Sequence, residues 1–453
     1  MDIIDSRLIE RFEKLVENNH DYWDFREAKK NHIHGICTYP ATMVPMMQSE
    51  ILNCILELNP NINNLLDPFM GSGTILVEGM INALDVYGID INPFSYLLCN
   101  VKINPSRVDL LNTAKEIIYK CLDKSEEEFE VKEFNGINKW YREDIIKDLS
   151  KIADGIRKVD DRNIRQFFWI CLAEISRLCN NSKNSTFKLH RKSDEEVQKF
   201  EFDVIKNYKK IVNKNIDRVL EYIKINNNLE VSNEAKYEYK NKREVFLGNS
   251  IEVMKNKFKD NSIDLIITSP PYGDNQTTVT YGQFSVLPLR WIDKEDISDE
   301  INEFMINIDS RIDKSSLGGI RYSENIIYSS GILNYSKTLH DIYMKLMESE
   351  EREKARKVAS FIMDFNQIVE QLARVLKING YIVLTVGNRR VYNHEVKFNK
   401  IIKELSNLYN LELIYEFDRR ISGKRIPNKV SKLKNNKSVK SMSKEYILIL
   451  KKK

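Results

Sequence analysis

Asp67-Pro68-Phe69-Met70-Gly71-Ser72-Gly73-Thr74 decides the fold class through what flanks it. Upstream, the apolar run at 63–69 reads as a short strand; downstream, 73–84 has helical periodicity and 85–91 is a second strand. A further helix is predicted over 43–58. The alternation returns at Arg243, with a strand at 243–250, a short helix at 251–258 and a buried strand at 263–272 that ends in a Pro-Pro turn. After a long gap, a helix over 365–377 is expected to stop at Asn379-Gly380, a pair suited to a helix C-terminus. A strand at 381–387, a helix at 397–409 and strands at 411–420 and 445–453 complete the pattern. Such alternation predicts a doubly wound, largely parallel α/β sheet with helices on both faces.

At 453 residues the chain is long for one small domain, which points to two or three domains or one core with large insertions. The expected division is an N-terminal helical segment (1–30), core segments at 31–105, 241–273 and 356–453, and insertions at 106–240 and 274–355. The first insertion carries long charged helical patterns; the second contains a Gly/Ser-rich stretch, 315–339, that reads as loop. Hydrophobic residues make up 42% and aromatics 10%, enough for a sizeable core. A net charge of +4 says little about partners, but the tail from Arg419 onward is basic with a single acid, Glu445. That tail suits either a solvated surface or phosphate contact. Six scattered cysteines without a CxxC pair suggest reduced thiols. No apolar stretch is long enough to cross a membrane, so a soluble, cytoplasmic protein is expected.

Two constellations carry chemistry. In the first, Gly71 and Gly73 allow a tight turn and close backbone approach to a ligand, and the following helix N-terminus offers N–H groups to an anion. Asp90, at the end of the next strand in Gly-Ile-Asp-Ile-Asn-Pro, is placed to accept hydrogen bonds from ribose hydroxyls. Together they favour a nucleoside cofactor, whereas the G-x-G-x-x-G fingerprint of NAD enzymes is absent. The second is Thr268-Ser269-Pro270-Pro271-Tyr272, at the C-terminal end of a buried strand. The prolines stiffen the turn, and Ser269 Oγ and the Pro270 carbonyl become acceptors aimed at one point. Two acceptors would orient an exocyclic amine and free its lone pair for attack, while Tyr272 could stack on an extruded base.

The run Asp67 to Thr74, followed by Asp90 and then Ser269 to Tyr272, resembles the amino-methyltransferase family of DNA methylases, which act on cytosine N4 or adenine N6. The resemblance covers about half the chain and implies the class I methyltransferase fold, a seven-stranded sheet ending in a reversed strand. It implies S-adenosylmethionine as cofactor, with its methionine end at Asp67, Phe69, Gly71, Gly73 and Thr74 and its ribose at Asp90. Asn249 and Ser250 would lie near the adenine, and Tyr39, in a segment beginning at His34, would close over the methionine. Ser269, Pro270, Pro271 and Tyr272 would be catalytic. In many cytosine-N4 members the catalytic motif precedes the glycine loop; here it follows, which leaves open which insertion recognises the target. Ser at position 269 leans toward cytosine N4 over adenine N6. Methylation of carbon 5 is disfavoured, because no Pro-Cys motif supplies the thiolate it needs.

The expected substrate is double-stranded DNA, modified within a restriction-modification system with a cognate endonuclease as partner, by a chain favoured to be monomeric. The rival readings are the adenine-N6 reaction, an RNA guanine-N2 methyltransferase and a catalytically silent DNA-binding module. Arg389, Arg390, Arg419, Arg420, Lys424 and Arg425 fall in loops beside the ligand edge of the sheet and are the candidate DNA contacts, with surface ion pairs as the alternative. The mixed stretch 184–192 could touch phosphates or be a solvated loop. Trp291 and Phe284 could close over a flipped base or belong to the core. His32 and His34 lack further ligands at metal-site spacing, and no metal is assigned.

Overall fold

The computed structural model describes residues 2–17, 19–123, 125, 128–183, 187–274, 278–299, 301, 305–306, 311–421, 429–432, 438–440 and 443–453. Seven strands form the central sheet: β1 Asn64–Asp67, β2 Asp85–Asp90, β3 Arg243–Leu247, β4 Ile263–Thr268, β5 Leu376–Val386, β6 Leu411–Arg420 and β7 Lys444–Lys452. Their order is β6-β7-β5-β4-β1-β2-β3. Pairing is parallel from β3 across to β5, and β7 runs antiparallel to both its neighbours. This is the class I methyltransferase sheet.

Burial on both faces explains the apolar strand sequences. Alternate residues go to opposite sides. Leu65, Val86, Leu265, Ile267, Val383 and Ile449 pack against α1 (Ile3–Glu17), α2 (Pro45–Leu58) and α3 (Thr74–Ile81). Leu66, Ile89, Ile266, Ile382, Leu384 and Leu448 pack against α9 (Ser250–Lys257), α12 (Arg352–Val375) and α13 (Phe398–Ser406). Pro45 begins α2, where its missing N–H costs nothing.

Between β2 and β3 stand α4 (Pro93–Ile103), α5 (Val108–Cys121), α6 (Glu143–Arg157), α7 (Arg162–Cys179) and α8 (Val204–Ile225). Between β4 and β5, α10 (Tyr281–Trp291) packs into the same apolar cluster as α4 to α8. Trp291 is fully buried, edge-on to Tyr141 at 5.4 Å, and Phe284 is 6% exposed. Both therefore belong to the core, as the second of the two sequence readings had it.

Two expectations are corrected. The helix before β5 ends at Val375, four residues before Asn379. Its carbonyls accept from Asn261 and Ser262, and β5 already pairs at Leu376. Pairing then jumps from Ile263↔Leu376 to Leu265↔Tyr381, so Asn379 (φ 63°) and Gly380 form a bulge inside the strand, not a helix stop. The Gly/Ser-rich stretch is also not loop alone. Ser323 and Ser336 cap helices Glu324–Ser329 and α11 (Lys337–Glu348) by accepting from Ile326 and Leu339, and Ile327, Ile332 and Leu339 are buried.

All six cysteines are buried and unpaired. Among the described residues, no helix is long and apolar enough to cross a membrane.

Gly79 lets α3 lie close against β1 and β2. A Cβ there would lie 2.6 Å from Val86 Cγ1 and 3.1 Å from Leu65 Cδ2. Gly79→Val is expected to cost about 1–3 kcal/mol through overpacking, read as a lower urea midpoint. An unchanged midpoint would show that the helix can shift freely on the sheet.

Candidate active site

The turn after β1 is shaped by two left-handed residues, Gly71 (φ 49°) and Gly73 (φ 71°), and Gly73 sits directly before α3. A side chain at Gly73 would press on Cys99 Sγ at 2.9 Å. The chain therefore needs glycine there on two counts, torsion and space. Ser95 Oγ donates to the Gly71 carbonyl at 2.6 Å, and the buried Lys102 ammonium donates to the Ser72 carbonyl at 2.6 Å.

Asp90 ties this loop to the next strand end. Its carboxylate accepts from the Gly71 N–H and from the Asn92 N–H, each at 2.9 Å. Two oxygens with about four lone-pair sites keep capacity for further donors. Asn92, in the same Gly-Ile-Asp-Ile-Asn-Pro segment but unassigned by sequence, is a hub. Its Oδ1 caps α4 through Phe94, while Nδ2 donates to Tyr39 Oη at 3.0 Å and Ser285 Oγ at 2.8 Å. Tyr39 is thereby held against Gly71, in ring contact with Tyr281 of α10. Asn249 and Ser250 reach the same place, with their side chains already engaged. Asn249 caps α9 through the Ile251 N–H at 2.9 Å, and Ser250 Oγ donates to the Pro68 carbonyl at 2.6 Å.

Asp67 is fully buried at the end of β1. Thr268 Oγ1, at the end of β4, donates to its Oδ1 at 2.6 Å, and the Phe69 N–H donates to the same oxygen at 3.1 Å. Among the described residues, Asp67 Oδ2 is buried with no partner. Burial pushes this carboxyl up to about 7.

One residue on from Thr268, Ser269 Oγ lies 3.2 Å from Tyr272 Oη, and Tyr272 Oη donates to Glu445 Oε1 at 3.2 Å. Glu445 sits on β7 opposite Arg419 of β6, with Arg419 Nη1 3.6 Å from its Oε2. The lone acid of the basic tail thus points at the Pro-Pro turn. The pairing of β7 with β5, and of β5 with β4, brings it there, so the sequence marked the residue without locating it.

One cavity joins these elements. Its lining includes Tyr39, Phe69, Gly71, Ser72, Thr74 and Asp90 from the cofactor-type constellation, Asn249 and Ser250 after β3, and Ser269 and Pro271 from the second motif. Tyr281 and residues 315–317 of the second insertion close one side.

The candidate DNA contacts separate. Arg419 is 5% exposed and directed inward to Glu445, the Asp24 carbonyl and Met47 Sδ, so it is withdrawn from the surface set. Arg389 is withdrawn too. Its largely buried guanidinium pairs with Asp274 at 3.1 Å and leaves no room for a side chain at Gly273. Arg390 and Arg420 are exposed. Lys424 and Arg425 lie outside the described residues, as do 184–186 of the mixed stretch. His32, His34 and Glu78 bring ligand-type atoms within 4.8 Å of one another. Burial, with Lys102 and Lys30 nearby, holds His34 well below the usual histidine range. The 2.7 Å His34–Glu78 contact fastens the Tyr39 segment to α3.

No family model matches the chain. Among curated proteins it is 32% identical over 461 residues to the type II methyltransferase M.MvaI of Kocuria varians, covering 99% of this chain and 97% of that one. It is 33% identical over 102 residues to the type II methyltransferase M.MjaII of Methanocaldococcus jannaschii, covering 22% of this chain and 18% of the relative. End-to-end similarity of that extent, on a class I methyltransferase sheet, shows that the chain belongs to the type II methyltransferase family.

Proposed function

We propose that this protein transfers a methyl group from S-adenosylmethionine to N4 of cytosine in double-stranded DNA, as the modification enzyme of a restriction-modification system with a cognate endonuclease. The observation that carries this reading is the shared cavity. Ser269 and Pro271 line it together with Gly71, Ser72, Thr74 and Asp90.

The residues fit the cofactor. Asp90 keeps acceptor capacity for ribose hydroxyls, the glycine turn brings backbone to the cavity wall, and Asp67 Oδ2 is a buried oxygen without a partner among the described residues, suited to an ammonium. When bound, S-adenosylmethionine supplies a methyl group activated by its sulfonium. Ser269 Oγ and the Pro270 carbonyl would hold the two amine hydrogens, so that the nitrogen lone pair faces the methyl group; positioning of this kind is the main demand of direct transfer. Tyr272 would support the extruded base. Serine rather than aspartate or asparagine at position 269 supports cytosine over adenine. Exposed Arg390 and Arg420 are the described cations that would meet phosphates. The two insertions share an apolar core beside the cavity, which supports a joint role in reading the DNA sequence.

The test is transfer of labelled methyl from S-adenosylmethionine to duplex DNA, followed by mass spectrometry of the nucleosides. N4-methylcytosine is expected; N6-methyladenine would overturn the base assignment, and unlabelled DNA would overturn the substrate. Ser269→Ala is expected to slow single-turnover transfer by about 100-fold or more with cofactor affinity retained. Wild-type turnover would remove Ser269 from the acceptor role.

The raised Asp67 carboxyl gives a pH test. Below about pH 7 the buried group holds a proton, and a cationic ligand pairing with it must release that proton. Affinity for S-adenosylmethionine should therefore rise from about pH 5.5 to about pH 7 and then level off. Calorimetry on Asp67→Asn should show that slope lost; an identical slope would place the titrating group elsewhere.

A further inference from the structure

Ser269 carries one hydroxyl proton, and where that proton points decides whether the residue presents lone pairs or a hydrogen to a substrate amine. In the pair Ser269 Oγ and Tyr272 Oη, 3.2 Å apart, either oxygen could donate. The direction is settled one step further along. Tyr272 Oη is also 3.2 Å from Glu445 Oε1, and a carboxylate only accepts. The tyrosine's single proton is thereby committed to Glu445, so its oxygen can only accept from Ser269. The serine's proton is committed in turn, and its lone pairs are left for the cavity.

Arg419 holds the carboxylate in this orientation. It sits opposite Glu445 across the β6–β7 pair, 3.6 Å from Oε2, and is itself anchored on the Asp24 carbonyl at 3.4 Å.

We propose that Glu445 is a positioning residue that sets the polarity of a Ser269–Tyr272–Glu445 chain, making Ser269 an obligate acceptor and giving the reaction's proton an exit. This rests on the amine-methylation reading above. The exit balances. As the methyl carbon's bond to the donor sulfur breaks, leaving a neutral thioether, and its bond to the amine nitrogen forms, that nitrogen becomes positively charged and must lose a proton. That N–H breaks toward Ser269 Oγ, the serine proton passes to Tyr272 Oη, and the tyrosine proton passes to Glu445 Oε1. Serine and tyrosine end neutral and Glu445 ends as the acid, partly exposed at 18% and able to release the proton to water. A strongly acidic aminium asks little of the acceptor's basicity, so a carboxylate suffices.

The experiment uses the full-length enzyme, duplex DNA and S-adenosylmethionine, with single-turnover rates measured beside cofactor and DNA affinities. In Glu445→Gln the side chain has one oxygen for two donors. Arg419 takes it, and the amide NH2 faces Tyr272, reversing the chain so that the serine proton points into the cavity. A fall of about 10- to 100-fold in the transfer rate is expected, within the range of positioned proton transfer, with both affinities changed less than about 2-fold. Glu445→Asp, which stays acceptor-only, should recover part of the rate. Tyr272→Phe keeps the ring, breaks the chain at its middle and should fall by a similar factor. The double variant should be no slower than the slower single. Wild-type rates in Glu445→Gln and Tyr272→Phe would overturn the proposal, as would losses that multiply in the double variant. Should Glu445→Gln fail to fold, Tyr272→Phe alone decides it. An inactive wild-type enzyme on every DNA would instead refute the amine-methylation reading.

Discussion

A single buried hydrogen bond, from Thr268 Oγ1 to Asp67 Oδ1 at 2.6 Å, stands where the whole site is organised. It joins the C-terminal ends of β1 and β4, neighbours at the middle of the sheet, paired Leu65 to Leu265 and Leu66 to Ile266. The glycine turn leaves from one end and the Pro-Pro turn from the other. Parallel strands bring all their C-terminal ends to one edge, but that alone does not aim two loops into one cavity. A buried aspartate shared between them does, because any splaying of the strand ends would strand a polar group away from water, at about 1–3 kcal/mol.

Around that bond the site is built mostly of side chains holding backbone. Asp90 accepts from Gly71 and Asn92, Ser95 and Lys102 donate to the glycine turn, and Ser250 donates to Pro68. The wall is therefore rigid before any ligand arrives, the condition for catalysis by orientation. The inward turn of Arg419 and the Arg389–Asp274 pair extend the same logic to the Pro-Pro side. Cations that sequence position alone assigned to the DNA surface serve to fix the loops of the cavity.

What could be read in the sequence follows from range. Buried parallel strands are short continuous apolar runs, and the turns that end them carry Gly and Pro, so β1, β2 and β4 and both loops were legible from local residues. Asp90 was legible as an acid at a strand end, one short helix after the glycine turn. Features that depend on pairing across distance were not. Asn379-Gly380 looks like a helix stop by composition, yet β4 pairs with Leu376 and makes it a bulge. Ser323 and Ser336 look like loop residues until apolar neighbours bury the short helices they cap. Asn92 was in view without a role, since two of its partners, Tyr39 and Ser285, come from distant parts of the chain. Glu445 was visible as an isolated acid, but its place beside Arg419 and the Pro-Pro turn lies in the register of β7 with β6 and β5, and of β5 with β4.

The most direct test is to remove the central bond and read both halves of the site at once. Thr268→Val keeps shape and takes away the hydroxyl, leaving Asp67, among the described residues, with only the Phe69 N–H. Calorimetric affinity for S-adenosylmethionine and the single-turnover methylation rate, measured on the same folded preparation, should both fall, each by about 5- to 100-fold, the equivalent of about 1–3 kcal/mol. Cofactor affinity and transfer rate both equal to wild type would contradict the claim that this bond makes the two loops one site.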